Sequence, residues 1–201
     1  MNFYPVLLNL KNKDCLIIGG GRVAERKAIS LLKAGANVSL LSPRITDRLQ
    51  RIVRKGGVKY IPSDYDRKFL KKTFLVIVAT DNHGVNTKIC QQALKRNILV
   101  NCVDSPELCN FIVPAVFRRG DILVAVSTSG KAPGLAKKIR DDLKKIINRD
   151  YLLKLRVIEK VRRKIKKSIP SVKKRKVVLK KLVRLNIDEL RKDEIIKRVL
   201  K

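Results

Sequence analysis

In the first half of the chain, short apolar blocks alternate with stretches whose apolar residues recur at helical spacing. Residues 14–18, 37–41, 58–61, 74–79 and 98–103 read as strands. The fourth, Phe74-Leu75-Val76-Ile77-Val78-Ala79, is apolar almost throughout, as a strand covered by helices on both faces must be. Between the strands, Val23, Ala24, Ala28, Leu31 and Leu32 lie on one helical face that stops at Gly35. Residues 45–55 form a short amphipathic pattern ended by Gly56 and Gly57, and a third helix over 84–96 follows the cap signal Thr80-Asp81-Asn82. This alternation predicts an α/β fold, a Rossmann-like doubly wound parallel sheet whose ligands lie beyond the carboxyl ends of the strands. Ahead of it, the apolar segment 4–10 is expected to add a strand or brace to the sheet edge.

From Phe111 the pattern changes. Residues 111–117 and 121–127 read as strands joined by a turn at Arg118-Arg119-Gly120, and a helix over 134–147 follows. Residues 151–201 contain one proline, Pro170, and three apolar groups at helical spacing. These are Leu152 to Ile158, Val177 to Val183, and Ile195, Ile196, Val199 and Leu200, which predict about three helices. The pattern divides the chain into a Rossmann domain over 1–113, a small α+β segment over 114–147 and a C-terminal helical lobe over 148–201.

The junction of the first strand and helix reads Ile18-Gly19-Gly20-Gly21-Arg22-Val23-Ala24. Gly19, Gly21 and Ala24 fit a dinucleotide fingerprint: the first glycine makes the turn, the second admits a pyrophosphate, and the small third residue packs helix on sheet. A purely structural glycine turn is the alternative. The acidic residue expected about 20 positions later to hold a ribose is absent, its place taken by Ser42-Pro43-Arg44. Arg44 in that position leaves a 2′-phosphate open. The loop Ser127-Thr128-Ser129-Gly130, with Pro133 at the following helix start, reads either as an anion cradle or as an ordinary capped helix.

Charge adds a second theme. The 201 residues hold 48 Lys and Arg against 17 Asp and Glu, net +31, and residues 141–201 carry 23 of the basic residues with 8 acidic ones. Such a field attracts polyanions of any kind, whether nucleic acid, an anionic membrane or a multi-carboxylate substrate; a Lys-rich solvated surface is the plainer alternative. No aromatic residue follows Tyr151, so the tail has nothing on which bases could stack. Cys15, Cys90, Cys102 and Cys109 show no paired spacing, which points to reduced structural thiols rather than a metal site. No apolar run approaches the ~20 residues of a membrane span, and the first residues lack the features of a signal peptide, so the expected location is the cytoplasm.

Three segments together resemble one family, the precorrin-2 dehydrogenases of sirohaem synthesis, including the bifunctional dehydrogenase/ferrochelatases. They are Tyr4-Pro5 through the glycine motif to Ala28; Asn101-Cys102-Val103-Asp104-Ser105-Pro106 with Phe111-Ile112-Val113-Pro114-Ala115; and Val126 to Gly130 with Pro133, Leu135 and Ala136. The likeness runs from the first residues to about residue 147. It implies NAD as oxidant, a homodimer joined largely by the segment after Pro114, precorrin-2 as substrate and ferrous iron as a possible second substrate. By position, Gly19, Gly21, Arg22 and Val23 would hold the pyrophosphate, Ser42, Pro43 and Arg44 the adenosine ribose, and Thr80 and Asp81 the nicotinamide side. Asp104 falls on the family's catalytic aspartate, and Asn101 with Ser127, Thr128, Ser129 and Gly130 would contact substrate. Ala132 departs from the pattern, since the family usually has serine there.

The chemistry suits these residues: removing a hydride and a proton from a reduced tetrapyrrole needs a hydride acceptor and a nearby base, and Asp104 is the candidate base. Read from its neighbours alone, Asp104 could equally cap the turn at Ser105-Pro106. His83, the one histidine, lies just past a helix cap and reads as surface. The eight carboxylates of precorrin-2 give the basic charge a use, with the tail expected to help enclose the macrocycle. Two other readings are an NAD-binding regulatory domain without turnover and a nucleic-acid-binding tail; the absence of a recognisable reading motif weighs against the latter.

Overall fold

Strands β1 (Asp14–Ile18), β2 (Asn37–Leu41), β3 (Lys59–Ile61), β4 (Leu75–Val78) and β5 (Leu99–Cys102) form one sheet in the order β3-β2-β1-β4-β5, all pairs parallel. This is the arrangement of a computed structural model that describes residues 3–186 and Glu189. Successive side chains of a strand point to opposite faces, and β1 uses both. Cys15 and Ile17 join a core with Ala24, Ala28 and Leu31 of α1 (Arg22–Lys33) and Leu49 of α2 (Asp47–Arg54). Leu16 and Ile18 join a second core with Ile89, Cys90 and Ala93 of α3 (His83–Leu94). The predicted doubly wound α/β sheet is therefore present, and its two cores explain why the strands carry no polar face. Fully burying a side chain such as Ile17 or Ile77 contributes about 1.5–3 kcal/mol.

The segment 4–10 does not extend the sheet. Only Leu10 is buried, while Tyr4 and Leu7 are largely exposed. Pro5 has no N–H to give a ladder, and the chain turns at Asn12 (φ 59), whose N–H donates to Gly35 O at 2.9 Å. At the other edge, β5 is completed not by a strand but by the side chains of Asn110 and Cys109 with one backbone bond, Asn110 N to Val100 O at 3.2 Å. Asn110 Oδ1 accepts from Val100 N at 2.7 Å, its Nδ2 donates to Ile98 O at 2.9 Å, and Cys109 Sγ accepts from Cys102 N at 3.0 Å.

That docking corrects the predicted start of the hairpin at Phe111. The observed strands are β6 (Ala115–Arg119) and β7 (Ile122–Val126), antiparallel, with Arg119 opposite Ile122 across a two-residue turn at Gly120 (φ 56) and Asp121. The chain divides into two compact units, Met1–Val113 and Pro114–Lys201. In the second unit, α4 (Pro133–Ile146) packs on the hairpin. Helices α5 (Arg149–Ser168) and α6 (Val172–Arg184) share a small core of Val161, Ile165 and Leu182. Pro170 separates α5 from α6, and Ser171 Oγ caps α6 by accepting from Lys174 N at 3.4 Å. The third apolar group of the tail, Ile195 to Leu200, lies outside the described residues. No helix among the described residues is long and apolar enough to cross a membrane.

Candidate functional site

The strand order reverses between β1 and β4, and a cleft of about 680 Å³ opens there beyond their carboxyl ends. Ligands of open α/β sheets bind at such a switch point, and the volume is that of a small-molecule site. Gly19, Gly20, Gly21, Ser42, Pro43, Arg44, Thr80 and Asp81 line it together. Another depression, of about 730 Å³ at the amino ends of β4 and β5, is rimmed by Asp66, Arg67, Lys68, Lys71, Lys72 and Arg96; it has no glycine approach, and the helical turn in its wall, Arg67–Leu70, is four residues long.

The three glycines have different reasons to be glycine. Gly19 has φ +116, and a Cβ there would stand 2.2 Å from Ala79 O, so β1 and β4 can approach only without it. A Cβ on Gly20 would stand 1.9 Å from Arg44 O. Gly21 is otherwise: its φ of −83° is open to any residue, and an added Cβ meets nothing within 4 Å. The first two glycines build the loop, and the third leaves space in front of it. Gly21 begins α1, and no side chain caps that end, so the amides and positive dipole end of the helix are available to an anion. A pyrophosphate fits this cradle.

A group of residues not singled out from the sequence holds the cradle in place. Gly20 O accepts from Thr46 N at 3.1 Å, and Thr46 Oγ1 donates to Glu25 Oε2 at 3.1 Å while accepting from Leu49 N at 3.3 Å. Arg48 Nη1 binds Glu25 Oε1 at 3.0 Å, so the carboxylate buried in the first turn of α1 is paired. Ser42 Oγ donates to Arg44 O at 2.7 Å and Tyr60 Oη to Pro43 O at 3.2 Å. These bonds shape the 42–46 turn. Ser42 retains its lone pairs, but its proton is already committed. The legible part of this group was the signal Thr46-x-x-Leu49 at a helix start; the pairing with Glu25 is long-range.

On the other wall, Thr80 Oγ1 is bonded to Asn86 Oδ1, and Asn86 Nδ2 donates to Thr80 O at 3.0 Å. Asn86, buried in α3, therefore fixes the backbone that presents Thr80 and Asp81. Tyr65, which also lines the cleft, donates to Gln92 Oε1 at 2.6 Å, and burial pushes its hydroxyl pKa upward, keeping it a donor.

Asp104 follows β5 at its carboxyl end. It is exposed and makes no hydrogen bond or ion pair with the described residues. It does not cap the short 3-10 turn Pro106–Leu108, which starts from Ser105. The buried Ser105 hydroxyl lies 3.5 Å from His83 Nδ1, so the start of α3 and the Asp104 loop are neighbours. His83 is exposed but is tied to this loop, not to bland surface alone. Asn101, expected among substrate contacts, is buried and donates its amide to Phe111 O at 3.2 Å, which makes it a brace for the loop. Arg22 and Val23 open α1 but do not line the cleft.

Ser127, Thr128, Ser129 and Gly130 belong to the second unit. Ser127 Oγ accepts from Ser129 N at 3.1 Å and Thr128 Oγ1 from Ala132 N at 3.1 Å; Ser129 and Gly130 are left-handed (φ 54 and 82). Thr128 thus takes the amide of Ala132, the residue ahead of α4, while no side chain caps the helix itself. Among the described residues no three His, Cys, Asp or Glu side chains group as a metal site.

Comparison with known proteins identifies the family. Residues 6–115 match the family described as putative NAD(P)-binding, and residues 119–146 match that of the sirohaem biosynthesis protein central region. The siroheme synthase of Photobacterium profundum is 42% identical over 147 residues, 73% of this chain and 31% of that protein. The siroheme synthase of Thioalkalivibrio sulfidiphilus is 36% identical over 190 residues, 94% of this chain and 39% of that one. The chain thus spans about a third of the length of the curated relatives it matches. The solved structure of SirC, precorrin-2 dehydrogenase, superposes with a TM-score of 0.80 at 27% identity, covering 98% of this chain and 97% of its own. A match to the NAD(P)-binding family over more than half of the chain, continued by the sirohaem-specific segment, places the protein in the sirohaem-biosynthesis family of siroheme synthases and precorrin-2 dehydrogenases.

Proposed function

We propose that this chain oxidises precorrin-2 to sirohydrochlorin with NAD. The observation that carries the proposal is Asp104, an exposed carboxylate with no partner among the described residues, at the carboxyl end of β5 beside the turn that lines the cleft. When bound, NAD supplies the acceptor for the hydride that the macrocycle gives up. The chain's own residues do the rest. Gly21 and the amides opening α1 hold the pyrophosphate, with Arg22 and Val23 in that first turn. The backbone of residues 42–44 meets the adenosine ribose, and Thr80 and Asp81 border the nicotinamide. The carboxylate of Asp104 takes the proton that leaves the substrate with the hydride, so two electrons and two protons are accounted for. A carboxylate engaged in structural bonds would have to break them to do this; Asp104 has none to break.

Other parts of the reading concern the second unit. Residues 114–147 form the contact of a homodimer, a role supported by Val116, Leu135, Ile139 and Ile146, apolar side chains left exposed on the hairpin and α4. The loop of Ser127, Thr128, Ser129 and Gly130 holds a carboxylate of the substrate, and the basic helical lobe over 148–201 attracts it. Ferrous iron is a second substrate, inserted after oxidation, and the enzyme works in the cytoplasm.

An anaerobic assay of the purified protein tests the reading. Precorrin-2 with NAD is expected to give sirohydrochlorin faster than with NADP at equal concentration, and later addition of ferrous iron is expected to give sirohaem. A clear preference for NADP would mean that Arg44 binds a 2′-phosphate. Sirohydrochlorin that persists after iron is added would confine the enzyme to dehydrogenation.

A further inference from the structure

One side chain bonds backbone on both sides of Asp104 in the loop that carries it. Cys109 Sγ accepts from Cys102 N at 3.0 Å, and its single proton lies between Cys102 O at 3.2 Å and Ser105 O at 3.4 Å. Asn101 Nδ2 approaches the same sulfur at 3.7 Å. The thiol therefore touches backbone on both sides of Asp104, two residues before it and one after. We propose that Cys109 is a positioning residue for dehydrogenation, a clamp that closes the loop 102–109 and fixes where the Asp104 carboxylate stands.

Three observations support this role over simple core packing. Two of the groups it bonds face no neighbouring strand: β5 is an outer strand, so Cys102 N and O face away from β4 toward the sulfur, while Ser105 O also accepts from Leu108 N at 3.1 Å. Asn110 treats the preceding residues of β5 similarly through Val100 and Ile98, which leaves Cys109 as the clamp nearest Asp104. Burial pushes the Cys109 thiol pKa upward, so at neutral pH it stays protonated and keeps both its donor and its acceptor. A weak sulfur hydrogen bond matters here because an unpaired backbone amide in a buried position is costly, so the loop would move to find water if the sulfur were removed.

The inference rests on Asp104 as the base, and the test separates the two. Asp104→Ala, Cys109→Ser, Cys109→Ala and the double variant Asp104→Ala with Cys109→Ala are assayed for kcat, for NAD affinity and for amide exchange at Cys102. Serine keeps a donor and an acceptor, whereas alanine keeps neither. Cys109→Ala is expected to lower kcat at least tenfold, to leave NAD affinity within twofold and to speed exchange at Cys102. Cys109→Ser should stay within about threefold of the parent kcat, and the double variant should be no slower than Asp104→Ala. If Cys109→Ala does not fold, as judged by loss of NAD binding, Cys109→Val takes its place, since valine fills the space without hydrogen bonding. A normal kcat in the alanine or valine variant, equal losses in the serine and alanine variants, or additive losses in the double variant would overturn the clamp. A normal kcat in Asp104→Ala would overturn the base assignment instead.

Discussion

Two helices of this chain open from glycine-bearing loops, and the loops use their polar groups differently. Before α1, Gly19 and Gly20 pack backbone against backbone, and Gly21 leaves open space in front of an uncapped helix end. Before α4, the hydroxyls of Ser127 and Thr128 already accept the amides of Ser129 and Ala132. No side chain caps either helix, so what sets the first loop apart is its place in the switch-point cleft, whereas the second uses two of its hydroxyls on its own turn. The same contrast extends to the units that contain them. Met1–Val113 has two large cores and a cleft, while the described part of Pro114–Lys201 has a small core, exposed apolar side chains and most of its charge on two helices. The proposed function accordingly puts cofactor binding and proton transfer in the first unit, and substrate attraction and assembly in the second.

This division of labour is most exposed at Asp104. Asp104→Ala is expected to lower kcat about 10²- to 10⁴-fold, the range for a lost general base, with NAD affinity unchanged by titration calorimetry. A normal kcat with a raised KM would make Asp104 an orienting contact. Next in size is Gly21→Val, which should remain folded, since no atom opposes the new side chain, yet bind NAD at least tenfold more weakly, about 1.4 kcal/mol. Gly20→Val is its control: the Cβ strikes Arg44 O, so loss of folded protein rather than of affinity alone is expected. Equal NAD affinity in folded Gly21→Val would remove the pyrophosphate from this loop.

Smaller effects are expected from the second unit. Replacing Lys173, Lys174 and Lys176 by Gln, with Arg175 kept because it donates to Ile169 O, should raise the KM for precorrin-2 severalfold at low salt and leave NAD affinity alone. Adding salt should bring variant and parent together; a KM difference that salt does not shrink would point to a specific contact. Smallest is an alkaline effect of the first unit's core. Burial raises the Cys15 thiol to about 11 and Cys90 to about 12, against an ordinary 9.0. A raised folded pKa contributes stability that is full below about pH 9 and is lost as pH climbs through 11 and 12. Urea unfolding of Cys15→Val should therefore weaken less between pH 8 and 11 than that of the parent. An equal decline would assign the alkaline loss to other groups.

The sheet was legible because its inner strands are buried on both faces, so apolar blocks such as Leu75–Val78 have one reading. The glycine loop was legible in outline only. Spacing marks Gly19 and Gly21, yet the most crowded position is Gly20, which depends on Arg44 O, 24 residues away. Likewise Glu25 reads as an ordinary acidic residue in a first helical turn, and only the fold brings Thr46 and Arg48 to it. The edge of β5 misled for a related reason. Asn110 and Cys109 imitate a neighbouring strand with side chains, a role that leaves no periodic trace, so the hairpin was expected to begin at Phe111 and begins at Ala115. Apart from Leu10, segment 4–10 is apolar without being core, and its exposure has no local signal.

One assay decides whether the first unit both binds the nucleotide and carries the base. NADH formed per precorrin-2 consumed is followed without oxygen, in the parent protein and in Asp104→Ala at saturating NAD. The expected result is one NADH for each sirohydrochlorin in the parent and, in the variant, the same NAD occupancy with turnover slowed by at least about a hundredfold. NAD bound by the parent with no NADH formed from precorrin-2 would refute that assignment and make the chain a nucleotide-binding regulator.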